Sequence, residues 1–320
     1  LWQVGVPSFR FDISNEADLI EEIGRLSGYD KIPSELPKLP AIPRPFPVDQ
    51  EMRDGIRRAL VWRSFCEVIT YSFISREMAQ SFSDSGLVQL TNPISQEMAF
   101  MRPSIVSSLI NPLRYNINRQ KDQIKLFELG KVFKKQGEKI TEGLHLAAVS
   151  FGHVFRKQWD LDPKEVDFFD IKADMVSVLG TICNLKLDFI KEEKLGLHPG
   201  QSAVIYSGDT EIGIIGAIHP EVLNRMAISG KVLFFEVNLD LLRPDWAKEY
   251  SPISRFPIVT RDISVVVDKS ISAKLCLSAV KKLDLPNLKD LQLFDLYTGQ
   301  GIDSEKKSFS ISLIFQSSSS

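Results

Sequence analysis

AVIYSGDTEIGIIGAI, residues 203–218, is the stretch that decides the fold class. Its two apolar runs, 203–207 and 211–218, are separated by three residues that include Gly208 and Asp209, so they predict two strands joined by a tight turn. A parallel pair would need a crossover connection of roughly a dozen residues, which this link cannot supply. The sequence therefore predicts an antiparallel pair.

The chain on either side of this pair carries further strand and helix patterns. Short links between several of the strands favour a mostly antiparallel sheet with helices beside it, an α+β arrangement. The first helix has an apolar face of Met52, Ile56, Ala59 and Leu60, and Pro112 is expected to kink or split the second. Strands are predicted at 67–73, 123–133, 144–151 and 231–237, and helices at 51–64, 104–119 and 170–183.

Two further regions flank this sheet. After residue 252 the pattern predicts strand 262–268, helix 272–284, strand 288–297, a turn at 299–301 and strand 306–315, the β-α-β-β part of a split βαβ, ferredoxin-like unit. Before residue 33, residues 2–13 predict an edge strand. A helix capped by Asn15 or Ser14 follows, buries Leu19, Ile20, Ile23 and Leu26, and ends at Gly28. Six of the 17 prolines lie between residues 33 and 47, which predicts an extended linker.

Composition excludes several classes of protein. The 320 residues are 43% hydrophobic and 25% charged with a net charge of −2, which excludes global disorder and a broadly basic nucleic-acid binder. Three separated cysteines suit a reducing compartment, and no apolar run approaches the roughly 18 residues of a membrane span. The chain starts at Leu1 with neither an initiator Met nor a signal-peptide layout, so we expect it to be a piece of a longer protein.

Four carboxylates near the N-terminus form a candidate metal site: Asp12, Asp18, Glu21 and Glu22. Positions 18, 21 and 22 share one face of the predicted helix, and Asp12 can fold back onto it. Such oxygen ligands suit Mg²⁺. The same acids would also complement the helix dipole while remaining solvated, and the spacing alone favours this second interpretation.

Three groups of segments together resemble one family. They are VPSFRFDISNEADLIEEIGRLSGYDKIP (6–33); HPGQSA (198–203) with GAIHPEVL (216–223); and SRFPIVTRDISVVVD (254–268) with LFDLYTGQG (293–301) and ISLIFQSSS (311–319). In this order they resemble the β subunits of bacterial phenylalanine–tRNA ligases over essentially the whole chain. The resemblance implies four regions: 1–36, part of a helical Mg²⁺-binding domain; 37–48, a Pro-rich linker; 49–248, a catalytically inactive class II synthetase-like core; and 252–320, a truncated ferredoxin-like anticodon-binding domain.

The resemblance also implies a function. The complete enzyme would attach phenylalanine to tRNA(Phe) using ATP and Mg²⁺ in the cytoplasm, as a tetramer of two α and two β subunits. The α subunit would bind ATP, and this chain would supply subunit-interface and tRNA contacts. The alternative from another class is a free-standing Mg²⁺-dependent hydrolase that uses the acidic cluster. That alternative is disfavoured because two-metal hydrolases usually gather ligands from distant segments.

Individual residues follow from the same resemblance. It favours the metal interpretation of Asp12, Asp18, Glu21 and Glu22, at a site shared with the α subunit. In the core, Leu126 stands where an active class II enzyme would need a phosphate-binding Arg, although Glu128 is retained, and no G-x-G-x-G-x-x-R occurs. No catalytic residue is therefore predicted. Arg255, Phe256 and Arg261 are the candidate tRNA contacts, because basic and aromatic side chains commonly bind single-stranded loops.

Other polar and aromatic residues give weaker signals. His198 and His219 each precede a proline and are predicted to be turn or cap residues. Trp62 and Trp159 are predicted to lie in the core or to anchor an interface.

Overall fold

The computed structural model describes residues 2–35, 48–183, 185–242, 250 and 253–317. The chain divides into two compact units, Leu1–Pro244 and Asp245–Ser320. The larger unit holds helices α1 Glu16–Ser27, α2 Val48–Trp62, α3 Arg76–Phe82, α4 Ile105–Ile117, α5 Phe168–Leu179 and α6 Pro220–Arg225. Its strands are β1 Cys66–Glu67, β2 Phe73–Ile74, β3 Phe100–Met101, β4 Gln123–Gln136, β5 Lys139–Gly152, β6 Leu187–Lys191, β7 Leu197–Ser207, β8 Thr210–Ile218 and β9 Val232–Asn238.

A seven-stranded sheet in the order β1-β4-β5-β9-β8-β7-β6 organises the larger unit. The β7–β8 pair is antiparallel, with Ser207 opposite Thr210, so the prediction from residues 203–218 is confirmed. Every other neighbouring pair in this sheet is antiparallel except β1–β4, which is parallel and joins Cys66 to Leu126. The sheet is therefore mixed, and its antiparallel character is the predicted one.

Hydrophobic residues cover both faces of this sheet. Alternation along β4 sends Phe127 to the core beneath α2 and α5, and Leu126 to the core beneath α3, α4 and α6. The predicted apolar face of α2 is confirmed, since Met52, Ile56, Ala59 and Leu60 are all buried.

The smaller unit contains β10 Val259–Asp268, α7 Ala273–Lys282, β11 Leu288–Tyr297 and β12 Lys306–Phe315, as predicted. Its sheet has the order β10-β12-β11, with both pairs antiparallel. The period-2 pattern of β12 buries Phe309, Ile311 and Leu313 against α7, and places the intervening serines on the opposite face.

Several expectations are corrected. The strand at 2–13 is wrong: residues 2–15 contain no strand and turn instead, with the Arg10 N–H donating to the Pro7 carbonyl at 3.0 Å. The stripe of α1 is not buried: Ile20, Ile23 and Leu26 are exposed, and α1 contains no buried residue. The strand at 67–73 is reduced to β1 and β2 at its two ends, and α4 remains one helix through Pro112. The Pro-rich linker falls almost entirely outside the described residues.

Candidate functional site

Helix α1 begins with a reciprocal cap that engages one of the four predicted ligands. The Asn15 side chain accepts from the Ala17 N–H at 2.8 Å, and one Asp18 carboxylate oxygen accepts from the Ser14 and Asn15 N–H groups at 2.7 and 3.0 Å. This arrangement is a capping box, which satisfies N–H groups that a helix leaves without intrahelical partners. These bonds lower the pKa of Asp18, because they favour the charged carboxylate.

Arg10 joins two of the other predicted ligands. Its Nη2 lies 2.7 Å from Asp12 Oδ2 and 2.8 Å from Glu22 Oε1. The other Glu22 oxygen, Oε2, is 2.6 Å from Arg25 Nη2, one turn further along α1. Planar guanidinium groups pair well with carboxylates, so Asp12 and Glu22 are held by cations from the chain itself.

These ion pairs keep the cluster ionised. The hydrogen bonds from Arg10 and then Arg25 lower the pKa of Glu22 from 4.5 to about 2, and Arg10 lowers the pKa of Asp12 below its usual value. At neutral pH both carboxylates are therefore charged, which is the state that metal coordination needs.

The donor chemistry fits Mg²⁺, but the carboxylates are not gathered around a common point. In the described part of the chain, no group of three or more His, Cys, Asp or Glu side chains is placed to hold a metal ion. Asp12 and Glu22 meet at Arg10, Asp18 turns to the helix N-terminus, and Glu21 makes no hydrogen bond or ion pair within residues 2–35. The four-residue metal site stays a prediction.

The retained Glu128 of the core lies in a buried network that the sequence did not reveal. Arg102 donates from Nη1 to Glu128 Oε1 at 2.8 Å and from Nε to the Lys131 carbonyl at 2.9 Å. The Thr70 hydroxyl donates to Glu128 Oε2 at 2.6 Å and accepts from Arg102 Nη1 at 3.0 Å. Arg102 and Glu128 are 2% and 3% exposed, so neither is available to bind a nucleotide.

Gly130 makes room for that guanidinium. A Cβ built on Gly130 would lie 2.3 Å from Arg102 Nη2 and 3.2 Å from Glu128 Oε1. Leu126, at the position where the family motif would carry Arg, is buried in the core beneath α4. The surface of β4 at this point is filled by the chain's own side chains.

A second buried carboxylate, Glu236 of β9, lies at the N-terminus of α4. It accepts from the Ser104 hydroxyl, from His145 Nδ1 at 2.7 Å and from the Ile105 N–H at 3.3 Å. A carboxylate only accepts, so His145 carries its proton on Nδ1. A nucleophilic serine would bond the histidine, whereas Ser104 and His145 each bond Glu236 instead. This network is therefore not the serine–histidine pair of a nucleophilic site.

Of the two remaining histidine predictions, the one for His219 is confirmed, whereas His198 lies inside strand β7 and is neither a turn nor a cap residue. His198 Nδ1 accepts from the Gly200 N–H at 3.0 Å, and His219 caps α6 by accepting from the Glu221 N–H at 3.2 Å. Trp62 and Trp159 are 81% and 88% exposed, so the core interpretation of these residues is wrong and the interface interpretation remains a prediction.

The predicted tRNA contacts lie at one end of the small sheet. Arg255 is exposed and Phe256 half-buried in the segment before β10, where the Phe256 carbonyl accepts from Gln316 at 2.8 Å. Arg261 pairs with Leu313, so it lies on the α7 side of the sheet.

The opposite face of that sheet carries polar groups that were not predicted from the sequence. Ser264 and Ser310 lie opposite each other with their hydroxyls 3.2 Å apart, Ser312 donates to Asp262, and Gln292 pairs with Ser312 from the other side. The alternating serines of β12 were the available signal. Hydroxyl, amide and carboxylate groups on an open sheet can hydrogen-bond the edges of unpaired bases.

No helix in the described residues is long and apolar enough to cross a bilayer.

Three family models match this chain, and all three describe parts of tRNA synthetases. They are the phenylalanyl tRNA synthetase beta chain CLM domain over residues 32–239, the ferredoxin-fold anticodon binding domain over 254–320, and the tRNA synthetase B5 domain over 1–29. The chain belongs to the phenylalanyl-tRNA synthetase beta chain family.

Individual relatives agree with this family. The chain is 37% identical over 318 residues to the phenylalanine–tRNA ligase beta subunit of Nitrosococcus oceani and 38% identical over 317 residues to that of Pseudomonas fluorescens. Each match covers 98% of this chain and 40% of the relative, so the chain spans about two fifths of those proteins. A pyrrolysyl-tRNA synthetase structure from Desulfitobacterium hafniense aligns with a TM-score of 0.47 at 14% identity, covering 70% of this chain and 71% of that one.

Proposed function

We propose that this chain is a non-catalytic portion of a phenylalanine–tRNA ligase β subunit. The complete enzyme would attach phenylalanine to tRNA(Phe) using ATP and Mg²⁺, with the active site and the bound ATP in the α subunit. The observation that carries this proposal is the buried Arg102–Glu128 ion pair. Together with the buried Leu126, it fills the part of β4 where an active enzyme would bind ATP. The relatives give no support to a free-standing hydrolase.

The catalytic part of the proposal has a direct test. The isolated chain should not exchange pyrophosphate into ATP in the presence of phenylalanine, whereas the same chain mixed with its α subunit should. Exchange by the isolated chain at a rate near that of the mixture would overturn the proposal.

The proposed organisation has four regions. Residues 1–36 would be part of the metal-binding domain, 37–48 a linker, 49–248 the inactive core and 252–320 a truncated anticodon-binding domain. The separate hydrophobic cores of the two compact units support a boundary close to residue 248. We place the protein in the cytoplasm, where free cysteines such as Cys66 remain reduced.

The subunit interface is proposed to include the end of α2 and the segment after β1. Val61, Trp62, Ile69 and Tyr71 all expose more than half of their surface there. Large apolar side chains that are exposed to solvent are candidates for contact with another protein. The expected partner is the catalytic domain of the α subunit, in a tetramer of two α and two β chains.

A pair of tryptophan variants tests that interface. Trp62→Asp should abolish co-purification with a tagged α subunit, because it places a charge in an apolar contact. Trp159→Asp is the matched control, since Trp159 is 88% exposed, close to the 81% of Trp62, and lies at the tip of the short hairpin closed by Gln158 and Leu161. Loss of co-purification with Trp159→Asp alone would move the interface to that hairpin.

The smaller unit is proposed to contact tRNA. Arg255 and Arg261 would meet phosphates, Phe256 would support a base, and the Asp262–Ser312 face would hydrogen-bond base edges. In the assembled enzyme, Arg255→Gln with Arg261→Gln should weaken tRNA binding and reduce the slope of log affinity against log salt by about 1 to 2, because phosphate contacts release counterions. Lys191→Gln, an exposed charge on β6, is the control.

Mg²⁺ is proposed to bind through Asp12, Asp18, Glu21 and Glu22 together with the α subunit. The ion would tie the two subunits together and take no part in the chemical step. Asp18→Asn with Glu22→Gln should weaken α/β association in a Mg²⁺-dependent way. Normal assembly of this variant, with no effect of EDTA, would show that the acids are only a solvated helix face.

A further inference from the structure

We propose that one end of the large sheet binds a single strand of nucleic acid. The surface consists of two neighbouring segments of the larger unit, the loop that follows α4 and the hairpin that follows β5. We call it the basic edge, and its residues are Tyr115, Arg119, Lys121, Phe155, Arg156 and Lys157. It contains none of the residues proposed for tRNA contact in the smaller unit, and it does not depend on that proposal.

Close packing of the backbone brings the two segments together. Gln123 at the start of β4 pairs with Gly152 at the end of β5, and the Gln123 side chain donates to the Val154 carbonyl at 2.8 Å. A Cβ on Gly152 would lie 1.7 Å from the Asp122 carbonyl oxygen, so the chain that enters β4 runs directly against the chain that enters the hairpin. The loop and the hairpin therefore lie side by side at the same end of the sheet.

The cations of the basic edge are not paired within the described chain. Four exposed side chains supply these charges: Arg119, Lys121, Arg156 and Lys157. None of the four forms an ion pair with a residue that the structure describes. Segments 114–122 and 154–162 together hold five Arg and Lys against three Asp, a net charge of +2, whereas the whole chain has a net charge of −2. Exposed cations of this kind attract phosphates, and their binding to a nucleic acid releases its counterions.

Lys164 shows the opposite arrangement at the base of the same hairpin. Its ammonium lies 2.9 Å from an Asp170 oxygen and 3.3 Å from an Asp167 oxygen, so this cation is neutralised by α5 and its N-cap. Towards the tip, Arg156 and Lys157 have no such acceptor among the described residues. The unpaired charge is therefore confined to the outer part of the hairpin.

Exposed rings lie among these cations. Tyr115 and Phe155 are 56% and 58% exposed. The Arg119 guanidinium carbon lies over the Tyr115 ring, 3.3 Å from its centre, and Arg119 Nη1 donates to the Tyr115 carbonyl at 3.2 Å. Unpaired bases stack on aromatic rings and on guanidinium planes, so both segments offer a stacking surface beside a phosphate-binding charge.

The type of apolar side chain favours a nucleic acid over a protein partner. Segments 114–122 and 154–162 expose four large apolar side chains, of which three are aromatic: Tyr115, Phe155, Trp159 and Leu161. At the proposed subunit interface, by contrast, Val61 and Ile69 are aliphatic. Planar rings interleaved with unpaired cations suit the bases and phosphates of a single strand. A duplex offers the same phosphates but keeps its base faces stacked inside, so this surface should prefer a single strand.

The experiment measures the binding of fluorescent oligonucleotides to the full chain by anisotropy. The probes are oligouridine and oligothymidine of about 12 nucleotides, a length that single-strand sites cover, and a DNA duplex of the same length. Both single strands should bind more tightly than the duplex, because the surface uses phosphates and base faces that RNA and DNA share.

Two double variants test the phosphate contacts. Arg119→Gln with Arg156→Gln should reduce the slope of log affinity against log salt by about 1 to 1.5, since each phosphate contact on a single strand contributes about 0.7. Lys186→Gln with Lys191→Gln is the matched control, because it removes the same charge from exposed positions at β6, the far edge of the sheet. The control should leave the slope unchanged.

Two variants of Phe155 separate stacking from apolarity. Phe155→Leu keeps an apolar side chain but removes the ring, so it should raise the Kd of both single strands by at least about 5-fold. Phe155→Tyr keeps the ring and should stay within about 2-fold of wild type.

Three results would overturn the inference. Equal salt slopes for the two double variants would show that the basic edge makes no phosphate contact. Duplex binding as tight as that of the single strands would show attraction by charge alone. Unchanged oligonucleotide binding by Phe155→Leu would remove the stacking role, and loss of co-purification with the α subunit in that variant would then assign the surface to a protein partner.

Discussion

The buried Arg102–Glu128 pair gives the sharpest stability prediction. Glu128→Ala removes the carboxylate that Arg102 Nη1 and the Thr70 hydroxyl both contact, and it leaves a guanidinium 2% exposed without its counterion. Breaking a buried ion pair by removing one partner costs about 3–5 kcal/mol, because the remaining charge keeps its desolvation penalty. We therefore expect Glu128→Ala to lower the free energy of unfolding by about 4 kcal/mol.

The same strands supply an exposed control. Lys131 and Glu142 also form an ion pair between β4 and β5, but their side chains are 60% and 49% exposed. Glu142→Ala should cost less than about 1 kcal/mol, since exposed pairs contribute little. Both variants can be compared by urea unfolding of the full chain, followed by far-UV circular dichroism, because the native Trp62 and Trp159 side chains are already exposed to solvent.

A double variant separates the charge from the packing. Arg102→Met with Glu128→Leu removes both charges and keeps apolar bulk, so it should recover most of the loss caused by Glu128→Ala. The reasoning is refuted if Glu128→Ala unfolds within 1 kcal/mol of wild type, or if the double variant is no more stable than Glu128→Ala.

Three further predictions concern other parts of the larger unit. Gly152→Ala should destabilise the chain by more than about 3 kcal/mol in the same urea assay. The reason is that a Cβ there would lie 1.7 Å from a backbone oxygen and that φ is +86°. Gly137→Ala is the control: φ is +62° but the space is open, so it should cost only about 1–2 kcal/mol. Glu236→Gln should cost about 1–3 kcal/mol in urea, since an amide cannot accept every donor around it. The Glu22 carboxyl, followed by ¹³C NMR, should have a pKa of about 2, and this pKa should rise in Arg10→Gln. The ion pairs of Glu22 should stabilise the fold fully above pH 4.5, and this stabilisation is lost as the pH falls towards 2.

Local patterns in the sequence predicted much of the fold. The residue pattern at 306–315 predicted strand β12, and the spacing of Met52 and Ile56 predicted the buried side of α2, because both patterns depend only on neighbouring residues. The apolar pattern at 2–13 wrongly predicted a strand. A strand also needs a neighbouring strand to pair with, and within the described chain residues 2–15 pair with no strand.

The site depends more on contacts between distant residues. Arg102 and Glu128 are 26 positions apart, and Ser104 and Glu236 are 132 apart, so no local pattern joins them. The four predicted ligands were recognised as residue types at a suitable spacing. Their arrangement around Arg10 could not be predicted, since the turn at Pro7 that positions this side chain is itself a departure from the expected strand.

The position of β9 in the large sheet has a consequence for the order of folding. β9 lies between β5 and β8, yet it is the last of the seven strands in the chain. Until residues 232–238 have left the ribosome, β4–β5 and β6–β7–β8 can form only as two separate sheets, each with an unpaired edge that invites association with other chains. Joining them requires contacts over about 90 residues between β5 and β9, which are slow to form. Completion of β9 should therefore be the step that commits the larger unit to its native sheet.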